Sequence, residues 1–317
     1  MSDKILDIVT VISNPIQWDS RIKLARQAIA SWLKEPNVRI TVVECQFGDR
    51  PYDLGHLEVD PRVTVIKVKA STLVWNKESL LNIGISRLPH DAKYIATFDA
   101  DILFRKSGWA SDCINTLHIY PVAQPWNTAY DLGPNDEHLA THKSFCSILH
   151  AGGPVAPSGK NFWAFDKGPY DYPHSGYAWI WTRDILDRIG GLFELGGMGS
   201  GDHHMALGLA GKADWSLPAR CSPSYIDCVK RWEARALAHV NSKIGYMCHT
   251  IEHLFHGTKA KRGYTSRWDM FHEHNFDPHT DLKKNSYGVL EFAGNKPELE
   301  RAFDRYIRSR GEDTNSL

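Results

Sequence analysis

A chain of 317 residues, 42% of them hydrophobic, is long enough to bury one large core or a core with a smaller appendage. Lysine plus arginine and aspartate plus glutamate both number 37, so net charge names no partner; a nucleic-acid binder would need a local basic stripe instead. The charged start Met1–Asp7 is not a signal peptide, and no stretch approaches the ~18 apolar residues of a membrane span. The six cysteines show no CxxC pair or zinc spacing, so reduced thiols and a cytoplasmic protein are expected.

Ile5–Ser13 is an apolar run that stops at the turn signal Ser13-Asn14-Pro15, which predicts a buried strand. Asp19-Ser20 then caps a helical pattern with Ile22, Ala25, Ile29, Trp32 and Leu33 on one face. Val38–Cys45 and Val63–Val68 are β-branched runs and predict two more strands. A helix follows through Leu80, Leu81, Gly84, Ile85 and Leu88, then a strand over Tyr94–Phe98 that ends at Asp99-Ala100-Asp101. Residues 125–176, rich in Pro, Gly, His and Asn, read as long ordered loops. Beyond them come a strand over Tyr177–Thr182, a short helix capped by Thr182 and ending at Gly190-Gly191, and a glycine-rich loop leading into Asp202-His203-His204. Further helices are spaced by Val229, Trp232, Ala236, Leu237 and Val240, and by the amphipathic segment that Pro297 opens and Gly311 closes. Strands alternating with helices predict an α/β fold with a mostly parallel sheet, whose ligands gather at the carboxyl ends of the strands.

Asp99 and Asp101 stand at such an end. Two carboxylates spaced i, i+2 can hold a hard divalent cation that neutralises a departing diphosphate. Together with the upstream run Trp75-Asn76-Lys77-Glu78-Ser79-Leu80-Leu81-Asn82-Ile83-Gly84, this triplet resembles the β-1,4-galactosyltransferase-like enzymes of the GT-A fold. Two further matches follow in order: Ser175–Trp179 through Gly190-Gly191-Leu192, and Gly199-Ser200-Gly201-Asp202 in the place of a Gly-Gly-Glu-Asp loop. The likeness spans roughly residues 8–260, and the chain also resembles uncharacterised glycosyltransferase-like proteins of bacteriophages, for which the compartment would be the host-cell cytoplasm.

The resemblance implies a catalytic domain over 1–260 and a C-terminal extension over 261–317 packed on it. It implies a UDP-sugar donor, Mn2+ or Mg2+, and a hexosyltransferase reaction. Asp101 would ligate the metal and Asp99 the ribose or the metal's water shell; Lys77 would touch the donor diphosphate, and Asp202 would take the acceptor's proton. Asp202 also suits a helix N-cap, as it follows glycines and precedes Met205-Ala206-Leu207. A later histidine completes the metal site: His256, beside Gly257, with His253 as runner-up. Lys259, Lys261, Arg262 and Arg267, interleaved with Tyr264 and Trp268, would grip either the donor pyrophosphate or a DNA backbone. Glu44, Asp49-Arg50, Ser13 and Asn14 follow the first two strands, where a nucleoside would lie, although turn chemistry explains each of them too. A sugar platform is sought among Trp126, Trp163, Trp179 and Trp181.

Three other classes compete. A metallohydrolase would use His272-Glu273-His274 with His279 and Asp281, but the residues before them do not alternate like a strand. A nucleotidyltransferase would carry a glycine-rich loop after the first strand, where Ser13-Asn14-Pro15-Ile16 stands, and a binding module has no use for a proton acceptor. Two acceptor classes are expected: a hydroxymethylated base in duplex DNA, which the basic-aromatic segment favours, or a saccharide.

Overall fold

Three β-branched runs lie parallel at the start of the chain: β1 (Leu6–Ser13), β2 (Val38–Phe47) and β3 (Val63–Ala70). Leu6 stands opposite Val38, and Ile40 opposite Val63. The computed structural model describes residues 4–155, 173–218, 220–264 and 266–314. Successive side chains of a strand point to opposite faces. Leu6, Ile8 and Ile12 therefore meet Ala25, Ile29 and Trp32 of α1 (Asp19–Trp32), while Val9 meets Leu81 and Ile85 of α2 (Lys77–Ser86) on the other face. α1 begins after Trp18 with no side-chain cap of its own, so Asp19-Ser20 does not cap it as the sequence suggests.

β4 (Tyr94–Phe98) joins β1 in parallel, Leu6 opposite Tyr94, and the chain runs on through β5 (Ile102–Phe104), α3 (Trp109–Leu117) and β6 (Val122–Gln124). The stretch expected to be loops contains further structure: β7 (Thr128–Leu132), β8 (His138–Lys143) and α4 (Phe145–His150). Ala129 and Asp131 of β7 are buried and their neighbours less so, a two-residue period that an inward aspartate hides from a hydrophobicity reading.

β9 (Ala178–Thr182) then inserts antiparallel between β4 and β6, and Thr182 Oγ1 accepts from the Ile185 backbone N–H at 3.4 Å to start α5 (Arg183–Ile189). After α6 (Gly201–Leu209) and α7 (Pro223–Val240), β10 (Ile244–Tyr246) completes a seven-stranded sheet in the order β10-β6-β9-β4-β1-β2-β3. All of its pairings except those of β9 are parallel, in agreement with the mixed α/β expectation.

β11 (Thr250–His253) belongs to a second sheet of order β5-β11-β7-β8. The chain ends with α8 (Arg267–Glu273), the short α9 (Pro278–Asp281), the hairpin of β12 (Leu282–Lys284) and β13 (Leu290–Phe292), and α10 (Pro297–Ser309). Leu299, Phe303 and Ile307 of α10 sit in the same hydrophobic cluster as Leu81 and Trp181, so the C-terminal segment shares the central core. Among the described residues no helix is long and apolar enough to cross a membrane, and the six cysteines are free thiols.

α2 can lie this close to the sheet because residue 84 has no side chain. A Cβ there would stand 2.9 Å from Val43 Cγ2 and closer still to Val9 Cγ1. Both valines are locked into the sheet, so Gly84→Ala should overpack the core and lower stability by about 1–3 kcal/mol. A shift of the urea midpoint at unchanged slope measures this; an unshifted midpoint would show that α2 moves away freely.

Candidate active site

The carboxyl ends of β1 and β4, with the amino end of the antiparallel β9, open into a cleft of about 570 Å³. Asp99 and Asp101 line it just beyond β4, because the strand stops at Phe98 and the Asp99 backbone N–H donates to Tyr177 O at 2.8 Å. The second sheet brings the histidines. β11 pairs antiparallel with β5 and sets His253 opposite Ile102, the residue after Asp101. The Leu254 backbone N–H then donates to Asp101 O at 2.8 Å.

Asp101 Oδ2 is 3.1 Å from His256 Nε2 and 3.8 Å from His253 Nε2, and one donor atom from each of the three residues lies within 4.8 Å of the others. A cation bound at roughly 2.1 Å holds neighbouring donors ~3 Å apart and opposite ones ~4.2 Å apart, so the spacing fits a single ion. Asp101 Oδ1 is buried without a hydrogen-bond partner, which leaves an acceptor lone pair for such a cation. Carboxylate oxygen with two imidazole nitrogens suits Mn2+ better than Mg2+. His253, the runner-up, thus stands beside Asp101 together with His256.

Burial would raise the Asp101 carboxyl, but His253, His256 and the guanidinium of Arg262 outweigh it and hold it well below the usual carboxylate range. Arg262 Nη2 lies 3.0 Å from His256 Nε2, and Arg262 Nη1 donates to Tyr264 Oη at 3.2 Å. For Asp99, burial and the neighbouring Asp101 charge raise the carboxyl, against the pull of Lys77. Lys77 Nζ, at the first position of α2, sits 2.5 Å from Asp99 Oδ1. Burial opposes its charge, but Asp99, Asp202 and Glu78 together raise its pKa.

Asp202 faces the cleft from the first turn of α6. It is not the N-cap, a place held by Ser200 at φ 65°; its Oδ1 accepts from the adjacent His203 N–H at 2.8 Å. A Cβ on Gly176 would stand 2.8 Å from Asp202 Oδ2, and one on Gly201 would stand 2.6 Å from Glu78 Oε1. Both carboxylates therefore occupy room that two glycines leave open. Burial pushes Glu78 up to about 7, with Lys77 lowering it and Asp202 raising it. His203 is pushed down to about 4, chiefly by burial, and His204 is enclosed by hydrogen bonds to Ser216 Oγ at 2.7 Å and Tyr225 Oη at 2.9 Å.

Other expected residues are placed elsewhere. Glu44 does not line the cleft: its carboxylate accepts from the backbone N–H groups of Asp53 at 2.5 Å and Leu54 at 3.2 Å, building the turn after β2. Asn14 closes a turn by bonding Trp18 N and O, both at 2.9 Å, and Arg50 bonds Pro15 O. Ser13 does line the cleft. Arg262 and Arg267 point into it, Arg267 bonding Ser200 Oγ at 2.8 Å, while Lys261 Nζ bonds Thr314 Oγ1 at 3.3 Å; the side chain of Lys259 lies outside the described residues. Among the described residues the basic run therefore forms no continuous outward stripe. Trp126, Trp179 and Trp181 are core, Trp163 lies outside the described residues, and the tryptophan on the cleft is Trp75. His272 and Glu273 end helix α8, and His279 instead meets Cys228 Sγ at 3.2 Å, so the alternative metal cluster does not assemble. Sequence reasoning missed Glu78, although it adjoins Lys77, as well as Asp131 and Glu312.

No family model and no curated protein matches the chain. Several solved structures resemble it distantly. A mannosyltransferase from Pyrobaculum calidifontis, solved with GDP-Man and Mn2+, shares 14% identity at a TM-score of 0.36. That match covers 59% of this chain and 47% of the mannosyltransferase, so the chain spans about half of that protein's length. The catalytic domain of Drosophila β1,4-galactosyltransferase 7, in complex with xylobiose, shares 12% identity over 94% of this chain and 98% of its own, at a TM-score of 0.40. A 4-diphosphocytidyl-2C-methyl-D-erythritol synthase from Anaerococcus prevotii shares 8% identity over 78% of this chain and 88% of its own, at 0.34.

The buried Glu78 makes stability depend on pH. Its folded pKa of about 7 lies above the ordinary value of 4.5, so the folded state binds the proton more tightly than the unfolded state does. Its contribution is fully present below about pH 4.5 and is lost as pH rises through about 7. Melting temperature should fall across this window, and Glu78→Gln should flatten the fall. An unchanged slope in the variant would assign the titration to another group.

Proposed function

We propose that this protein is a metal-dependent, inverting glycosyltransferase of the GT-A type, moving a hexose from a UDP-sugar to an acceptor hydroxyl. The carrying observation is that Asp101, His253 and His256 converge at the end of β4 in one cleft with Lys77 and Asp202. Within this reading the catalytic domain spans residues 1–260, and the segment 261–317 completes its cleft with Arg262 and Arg267.

Each side chain has a place in the reaction. Asp101, His253 and His256 would hold Mn2+, which when bound supplies positive charge to the departing diphosphate. Lys77, paired with Asp99, and Arg262, beside His256, would add fixed cations to the same cleft, where negative charge develops. Ser13, at the end of β1, borders the space for the nucleoside, and Asp99 orients Lys77. Asp202 accepts the acceptor's hydroxyl proton as the oxygen attacks the anomeric carbon. The bond from that carbon to the phosphate oxygen breaks with inversion, and UDP leaves with its electron pair.

The directions of the described basic residues bear on the choice of acceptor. Arg262 and Arg267 face the cleft and suit a donor pyrophosphate, which removes the main argument for a DNA backbone along this segment. A saccharide hydroxyl is the better-supported acceptor, and hydroxymethylated duplex is the competing one.

Purified protein assayed against a panel of UDP-sugars, with saccharides and hydroxymethylated duplex as acceptors, tests the reading. Activity should require Mn2+ and vanish in excess EDTA, and Asp101→Asn should lose it. Asp202→Asn should lower turnover by ~10²–10⁴-fold while UDP binding is kept. Full activity in EDTA, or loss of UDP binding in Asp202→Asn, would contradict it.

A further inference from the structure

Asp131 is neither one of the three proposed metal donors nor the proposed proton acceptor, yet His253, Tyr177 and His142 all converge on its carboxylate. It lies on β7, which pairs in parallel with β11 so that His253 stands directly opposite Asp131. His253 Nδ1 is 2.9 Å from Asp131 Oδ1, and Tyr177 Oη donates to the same oxygen at 2.7 Å. His142 Nε2 is 2.6 Å from Asp131 Oδ2. Asp131 itself is buried, at 4% exposure. Tyr177 reaches it from a backbone φ of 73°, a conformation that L residues rarely adopt, and its ring lies 4.7 Å from that of His253.

We propose that Asp131 is a positioning residue that fixes His253 as its Nδ1–H tautomer, so that the Nε2 lone pair faces Asp101. An ionised carboxylate only accepts hydrogen bonds, so a neutral imidazole lying against it must carry its hydrogen on Nδ1. Nε2 is then the unprotonated nitrogen, and it is the one that lies 3.8 Å from Asp101 Oδ2. Tyr177 and His142 hold the carboxylate from two other directions, so its orientation does not depend on His253. The two sheet pairings of β11 do the rest: β5 sets the distance to Asp101, and β7 sets the tautomer. A carboxylate behind a metal-binding imidazole fixes ring orientation and raises basicity, and its loss costs about 10–100-fold in metal affinity.

The inference rests on the metal site of the proposed function, and the test separates the two. In 15N-labelled, metal-free protein, long-range 15N–1H spectra report the tautomer of each imidazole, and His253→Gln identifies the His253 signals. Protonation on Nδ1 is expected in the wild type. Mn2+ binding, read as free Mn2+ by electron paramagnetic resonance, should weaken about 10–100-fold in Asp131→Asn and partly recover in Asp131→Glu. An asparagine amide can donate to Nδ1 and so favours the opposite tautomer. If Asp131→Asn does not fold, the wild-type spectrum still decides. Wild-type protein that binds no Mn2+, with or without UDP, overturns the metal reading and this inference with it. If the wild type binds Mn2+ and His253→Gln does not, the metal reading stands. In that case His253 protonated on Nε2, or Asp131→Asn binding as tightly as wild type, overturns the inference alone.

Discussion

A carboxylate taken out of water must be surrounded by positive charge and donors or give up its ionisation. Asp101 faces that constraint at the end of β4, and the architecture around the cleft supplies the answer from a distance in sequence. His253 and His256 come from the strand β11 and the turn after it, and Arg262 from the segment beyond. None of these groups is near Asp101 until β5 and β11 pair. The site is therefore a property of the second sheet as much as of the parallel one.

The same economy of charge divides the cleft into two ends. Asp101 is matched by imidazoles and a guanidinium, whereas Asp99, Glu78 and Asp202 share one ammonium, that of Lys77. Three carboxylates around one cation cannot all be well satisfied, and burial pushes Glu78, the most enclosed of them, up to about 7. Asp202 remains the carboxylate that looks into the cleft from a helix start, where backbone N–H groups favour negative charge.

What could be read from the sequence was whatever repeats or punctuates. β1 to β4 and the helices α1, α2, α5 and α10 announce themselves by period and by Thr182, Gly190 and Pro297, and Asp99 and Asp101 are legible because β4 ends just before them. β7 was not legible, since its inward position 131 is an aspartate, which breaks the apolar period there. Glu44 and Asn14 misled for the converse reason. Asn14 stands just past β1 and Glu44 near the end of β2, on the edge where ligands bind, but the backbone N–H groups of nearby turns claim their side chains first. Burial of Glu78 is likewise invisible in one dimension, because it depends on Gly201 arriving from more than a hundred residues away.

The last described residues show how far such long-range closure goes. α1 starts without a side-chain cap, and its exposed N–H groups are met by Asp313, whose carboxylate accepts from Asp19 N at 3.0 Å and Ser20 N at 2.9 Å. The neighbouring Glu312 is buried between Arg21, at 2.6 Å, and Arg310, at 2.9 Å, with His256 Nδ1 at 3.6 Å. Arg310 in turn lies over the ring of Trp75, 5.0 Å from its centroid, just ahead of Lys77. One short segment after α10 thus ties the first helix, the stretch leading into α2 and His256 together through charge rather than apolar contact. Buried ion pairs of this kind add little net stability, but removing one partner leaves a costly unpaired charge. Their consequence here is geometric: the contacts of Glu312, Asp313 and Arg310 fix α1, the turn carrying His256 and Trp75 relative to one another.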